Sequence, residues 1–145
     1  MRFVDLADGG RRLAALLTPD ILGDALVVCI GEGGQVTGRA VAEELGIVVV
    51  PVATTRTDDG VLVDLSSVDV AGRSVVVVDD GVESGTAALA AGAAFREAGA
   101  THVVLAVPVC PVDAEEGLRL RYDDVIAVTK PLERRTLRWH YETFA

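Results

Sequence analysis

The chain has 145 residues, half of them hydrophobic and about a quarter charged, a globular composition of single-domain size rather than a disordered one. A net charge of −9 with no basic stripe excludes nucleic acid as an expected partner, because an acidic surface repels phosphate backbones. Two cysteines, one inside an apolar run, read as buried thiols and imply neither a disulfide framework nor a metal site.

In chain order, residues 6–17 set Leu6, Leu13, Leu16 and Leu17 against Asp8, Arg11 and Arg12. This spacing predicts an amphipathic helix, weakened by Gly9-Gly10 and ended at Thr18-Pro19. The residues before it lack the apolar core of a signal peptide, and no apolar stretch is long enough to span a bilayer. The expectation is a soluble, cytoplasmic protein with no membrane partner.

Residues 25–30 read as a buried strand that stops at Gly31-Glu32-Gly33-Gly34. A helix over 35–45 follows, terminated by Gly46, and then a β-branched strand over 47–52. Strand, glycine loop, helix and strand make a βαβ unit, which requires a parallel pair. Residues 53–74 are polar and rich in Thr and Asp, with one brief apolar stretch at Val61-Leu62-Val63, and read as a loop or small hairpin.

Residues 74–78 include four consecutive valines and end at Asp79-Asp80-Gly81. An alanine-rich helix over 86–98 leads to a strand over 102–107, broken by Pro108 and Pro111. Asp113 and Glu116 have capping-box spacing for a short helix to about Arg119. A last strand over 124–128 precedes a tail with Trp139, Tyr141 and Phe144, which is expected to seal an edge of the core. With no repeat and no low-complexity linker, residues 1–145 read as one α/β domain. Its expected architecture is a doubly wound, mostly parallel five-stranded sheet flanked by helices. Ligands gather at the carboxyl ends of the strands in such sheets, which directs attention to 31–34, 53–59, 79–87 and 109–111.

The run from Val75 through Asp79-Asp80-Gly81-Val82-Glu83-Ser84-Gly85-Thr86-Ala87 carries the strongest chemical signal. Two carboxylates at the end of a buried strand are costly unless something uses them. Ser84, Gly85 and Thr86 then open a helix, where free N–H groups and hydroxyls form an anion cradle. Acids that accept ring-hydroxyl hydrogen bonds beside a phosphate cradle suit a ribose 5-phosphate. The plainer alternative has the acids ending the strand and Ser84 capping the helix.

This run resembles the phosphoribosyl diphosphate (PRPP) signature of type I phosphoribosyltransferases: four apolar residues, two acids, variable positions, then Thr-Gly-x-Thr. The resemblance extends to Phe3-Val4-Asp5, Arg11 to Ala14, Gly33-Gly34, Ala106-Val107-Pro108-Val109 and the ending from Trp139 to Phe144. It implies the type I phosphoribosyltransferase fold with a minimal or absent hood. It further implies Mg²⁺ as cofactor, with Asp79 and Asp80 at the ribose hydroxyls and at water bound to the metal. Glu83, Ser84, Gly85, Thr86 and Ala87 fall at the 5′-phosphate, Glu32, Gly33 and Gly34 at the pyrophosphate, and Arg56 in the flexible loop. The implied reaction transfers phosphoribosyl from PRPP to a nitrogenous acceptor with release of pyrophosphate.

The chain departs from that pattern where phosphate would bind. Ala87 stands in place of the final Thr, Glu83 in place of a small or hydroxyl residue, and Glu32 where relatives often carry arginine. Two acids near two phosphate sites predict repulsion, so Glu83→Thr is expected to strengthen phosphate binding. A second reading follows: a phosphoribosyltransferase-fold module that binds nucleotides or sugar phosphates without turnover. A third is a pocket altered for a cation or a neutral ligand. Dinucleotide, P-loop and nucleophile-elbow motifs are absent. His102 and His140 read as a surface residue and a packing residue. Apolar surface on a small open sheet makes a homodimer a reasonable expectation.

Overall fold

A computed structural model describes residues 2–144; Met1 and Ala145 lie outside the described residues. Helix α1 (Leu6–Ala14) and a short α2 (Pro19–Leu22) precede β1 (Leu26–Ile30), α3 (Glu32–Leu45), β2 (Val50–Thr57) and β3 (Gly60–Asp64). Then come β4 (Ser74–Val78), α4 (Thr86–Glu97), β5 (His102–Val109), α5 (Val112–Leu118), β6 (Asp124–Thr129) and a 3-10 turn (Leu137–His140).

The sheet order is β3-β2-β1-β4-β5-β6. Five strands run parallel, as expected, and β3 adds a sixth, antiparallel strand at the β2 edge. The polar segment after residue 52 is therefore a hairpin, with Ala53 opposite Asp64 and Thr57 opposite Gly60. It also moves β2 later than expected, because Val50–Thr57 continues past Val52 to pair with β3 while Val48 stays 80% exposed.

The valine run of β4 shows why the sheet is covered on both faces. Val75 and Val77 point into a core with Val103, Leu105, Phe95 of α4, and Leu118 of α5. Val76 and Val78 point the other way, against Leu13 of α1 and Val41 of α3. A strand buried on both sides reads as continuous apolar sequence rather than alternation. Small residues bring the helices close: a Cβ at Gly10 of α1 would lie 2.5 Å from the Thr37 carbonyl oxygen of α3. Gly10 thus serves close α1–α3 packing, while a Cβ on Gly9 would meet Pro108 Cγ and the Tyr141 hydroxyl at 3.1 Å, and both glycines are buried.

Three further local expectations change, the first being that β5 runs through Pro108 to Val109, which pairs with Thr129 of β6, instead of breaking at the proline. Helix α3 begins at Glu32, so the second half of the glycine loop is already its first turn. The expected capping box at Asp113 and Glu116 is not formed, because the N-cap of α5 lies two residues earlier, at Pro111. Asp113 instead accepts from Arg134 at 3.1 Å. After β6 the only element is the 3-10 turn, so the expectation of a minimal hood holds among the described residues. No helix among the described residues is long and apolar enough to cross a membrane.

Candidate functional site

The strand order reverses between β1 and β4: the chain leaves β1 toward β2 on one side and β4 toward β5 on the other. Cys29 pairs with Val78 in the register, so the loops at 31–34 and 79–85 start side by side and diverge. Divergence at such a switch point opens a crevice. Here it forms a cleft of about 610 Å³ lined by Glu32, Gly33, Arg56, Asp79, Asp80 and Ala87 among others. A smaller adjoining cleft of about 230 Å³ is lined by Asp80, Glu83, Ser84, Thr86, Ala87 and Leu137 among others.

The acidic pair sits at the floor of this crevice. Asp79 is buried and its Oδ1 accepts the Asp80 N–H at 2.8 Å; Asp80 is half-buried. Burial pushes the Asp79 carboxyl well above the ordinary carboxylate range, and the neighbouring Asp80 charge adds to the rise. Burial raises Asp80 as well, and the charge of Glu83 contributes in the same direction.

The glycine turn is built around this pair. A Cβ on Gly33 would stand 2.0 Å from Asp80 Oδ2, and one on Gly34 would stand 2.8 Å from Asp79 Oδ1. The two glycines therefore leave the space that the carboxylates occupy. Gly31 caps α3 without a side-chain hydrogen bond, so no capping side chain claims the backbone N–H groups of its first turn, and Gly31, Glu32 and Gly33 line the larger cleft.

The candidate phosphate cradle follows the same logic. Helix α4 starts on Gly85, whose φ of 86° lies in the left-handed region that favours glycine. No side chain caps the helix from that position, so Ser84 is not its N-cap residue. Ser84 Oγ lies 3.1 Å from Thr86 Oγ1 and accepts the Thr86 N–H at 3.4 Å, which places two exposed hydroxyls at the helix mouth. Ala87 lines both clefts.

The remaining candidates fall into place unevenly. Arg56 also lines both clefts, but it sits on β2 opposite Val61 rather than in an irregular loop. Glu32 is the exposed first residue of α3 at the rim of the larger cleft. The Glu83 carboxylate accepts the backbone N–H of Leu137, a contact across 54 positions that sequence reading does not reveal. Glu83 thus has a partner, contrary to its reading as a purely repulsive acid.

Tyr141 was legible only as part of an aromatic tail. Its hydroxyl donates to the Asp80 carbonyl oxygen at 2.6 Å, tying the tail to the acidic loop. Burial pushes the Tyr141 phenol up, and the Asp80 and Asp79 charges reinforce the shift, so it remains a donor. His140 is buried and packs edge-on to Trp139 at 5.0 Å, with its acidity shifted so as to favour the neutral ring, chiefly through burial.

Two hard oxygen donors with little positive charge around them suit Mg²⁺, which binds one or two carboxylates and completes its shell from substrate phosphates and water. Among the described residues no cluster of three or more His, Cys, Asp or Glu side chains offers a complete protein cage. The donor set therefore fits a metal that arrives with a phosphorylated ligand.

Comparison with known proteins identifies the fold and the family. Among solved structures, the chain is similar to protein TT1426 from Thermus thermophilus, with 25% identity, a TM-score of 0.85, and coverage of 100% of this chain and 92% of that one. A purine phosphoribosyltransferase from Pyrococcus horikoshii shares the fold at 16% identity and a TM-score of 0.61, covering 93% of this chain and 97% of the other. An adenine phosphoribosyltransferase from Rhodothermus marinus does so at 21% identity and a TM-score of 0.62, covering 82% and 77%. The family model of the phosphoribosyl transferase domain matches residues 5–140, nearly the whole chain, and the chain belongs to that family.

Proposed function

We propose that the protein binds PRPP with Mg²⁺ and transfers its phosphoribosyl group to a nitrogenous acceptor, releasing pyrophosphate. The observation that carries this reading is the placement of Asp79-Asp80 at the switch point, between the glycine turn 31–34 and the open mouth of α4. Asp79 and Asp80 accept hydrogen bonds from the ribose hydroxyls. Their negative charge, held close to the sugar in a partly desolvated crevice, stabilises the positive charge that develops at C1 as the bond to pyrophosphate lengthens.

Ser84, Gly85 and Thr86 supply N–H and O–H donors to the 5′-phosphate, and Gly33 and Gly34 offer backbone donors to the pyrophosphate. Arg56 provides a cation to both clefts. When bound, Mg²⁺ offsets the charge that builds on the leaving pyrophosphate. Neighbours named as purine and adenine phosphoribosyltransferases make purines the first acceptors to try.

A second reading, a sugar-phosphate or nucleotide binding module without turnover, is favoured by one feature. Glu32 places a carboxylate at the rim of the cleft where pyrophosphate would sit. The deciding assay is pyrophosphate release from Mg-PRPP across a panel of purine and pyrimidine bases. Base-dependent release supports the transferase. Saturable PRPP binding with no release for any base supports the binding module instead.

A further inference from the structure

The segment that follows β6 closes over the acidic loop through contacts that join residues far apart in the chain. The Leu137 N–H donates to the Glu83 carboxylate, and the Leu137 side chain lines the smaller cleft. That side chain also packs onto Gly81, where an added Cβ would lie 2.3 Å from Leu137 Cδ1. Four residues later the Tyr141 hydroxyl reaches the Asp80 carbonyl. The rear of this strap is held by the N-terminal segment, with Phe3 N–H donating to His140 O at 2.7 Å and Glu142 N–H to Phe3 O at 2.8 Å.

We infer that Glu83 is a positioning residue, whose grip on the Leu137 N–H fixes the strap as the outer wall of the 5′-phosphate cradle. This inference rests on the phosphoribosyl reading of the site. Glu83 is exposed and lies within the loop that would meet phosphate, where an unengaged carboxylate would simply repel it. Engagement by a backbone donor aims that carboxylate at the strap. It also explains how an acid is tolerated there: a threonine at this position is too short to span to Leu137, so the cradle would gain a hydroxyl and lose a wall. Loop 79–85 is then held on two sides, by the glycine turn beneath Asp79 and Asp80 and by the strap above Gly81 and Glu83.

The strap carries its own reporter. Trp139 is the only tryptophan of the chain and lies two residues beyond Leu137, with the Arg135 guanidinium 4.4 Å from its ring centroid. Wild type, Glu83→Ala, Glu83→Gln and Glu83→Thr are compared by iodide quenching of Trp139 and by calorimetric titration with Mg-PRPP, with melting curves to establish folding. Glu83→Ala and Glu83→Thr are expected to make Trp139 more readily quenched and to weaken Mg-PRPP about tenfold, the equivalent of one net hydrogen bond. Glu83→Gln keeps an acceptor oxygen at the same reach and is expected to recover most of both properties.

Wild-type quenching and affinity in Glu83→Ala would overturn the positioning role while leaving the phosphoribosyl reading intact. A gain of affinity in Glu83→Thr, or a Glu83→Gln as impaired as Glu83→Ala, would overturn it too, by showing that charge rather than the bond matters. Wild-type protein that binds no Mg-PRPP removes the phosphoribosyl reading itself, and the positioning role falls with it.

Discussion

Gly33→Ala offers a clean separation of the site from the fold. Its Cβ would stand 2.0 Å from Asp80 Oδ2, 2.8 Å from Cγ and 3.2 Å from Cβ, so the whole carboxylate arm must withdraw. Reaching ordinary van der Waals separation takes roughly 1.4 Å of movement at Oδ2, which a half-buried side chain achieves by changing rotamer at a cost of about 0.5–1.5 kcal/mol. Gly33 lies in the first turn of α3, and alanine is favoured over glycine in a helix by up to about 1 kcal/mol. The two effects oppose each other, so the melting temperature should barely change.

Ligand binding has no such compensation. A displaced Asp80 loses a charged hydrogen bond to the sugar, about 1.5–3 kcal/mol, or roughly 10- to 100-fold in affinity. The assay is thermal denaturation beside calorimetric titration with Mg-PRPP. Wild-type affinity in a folded Gly33→Ala protein would refute the placement of Asp80 at the ligand. Gly34→Ala is the contrasting case: its Cβ meets Asp79 Oδ1 at 2.8 Å and the Asp79 Cα at 3.3 Å, and backbone cannot rotate away. That variant should lose about 1–3 kcal/mol of stability as well.

Three further outcomes are expected. Tyr141→Phe removes the 2.6 Å bond to the Asp80 carbonyl and should lower stability by about 1 kcal/mol, a melting shift of about 3 °C, measurable by calorimetry. Because folding weakens Asp79 and Asp80 as acids, raising their pKa values above the ordinary carboxylate range, stability from the protonated pair is fully present below that range and is lost as pH climbs through their folded values. Urea midpoints taken from about pH 5 to pH 8 should fall, and Asp79→Asn should flatten that fall; an equally steep decline in the variant would contradict it. Ala87→Thr places a hydroxyl where both clefts meet and should tighten ribose 5-phosphate by about threefold, read by calorimetry, through one added hydrogen bond.

The parallel sheet was legible because its signals are local. Four valines followed by Asp79-Asp80, and a glycine loop between a strand and a helix, each declare a strand end without reference to the rest of the chain. The hairpin was half legible, since Val61-Leu62-Val63 marks a strand but its polar partner at 53–57 shows no apolar alternation. The failed capping box at Asp113 illustrates the limit of spacing rules: Asp113 found Arg134, 21 residues away, and Pro111 set the helix start. What the sequence could not disclose are contacts between distant segments. Glu83 with Leu137, Tyr141 with the Asp80 carbonyl, and Gly33 beneath the Asp80 carboxylate all depend on tertiary placement.

The account rests on one claim, that the crevice at Asp79-Asp80 holds PRPP together with Mg²⁺. Calorimetric titration of the wild-type protein with PRPP, with and without Mg²⁺, tests it most directly. Saturable binding that strengthens markedly when Mg²⁺ is present is the predicted result. No heat of binding at about millimolar PRPP in either condition, weaker than roughly 4 kcal/mol of affinity, would contradict it.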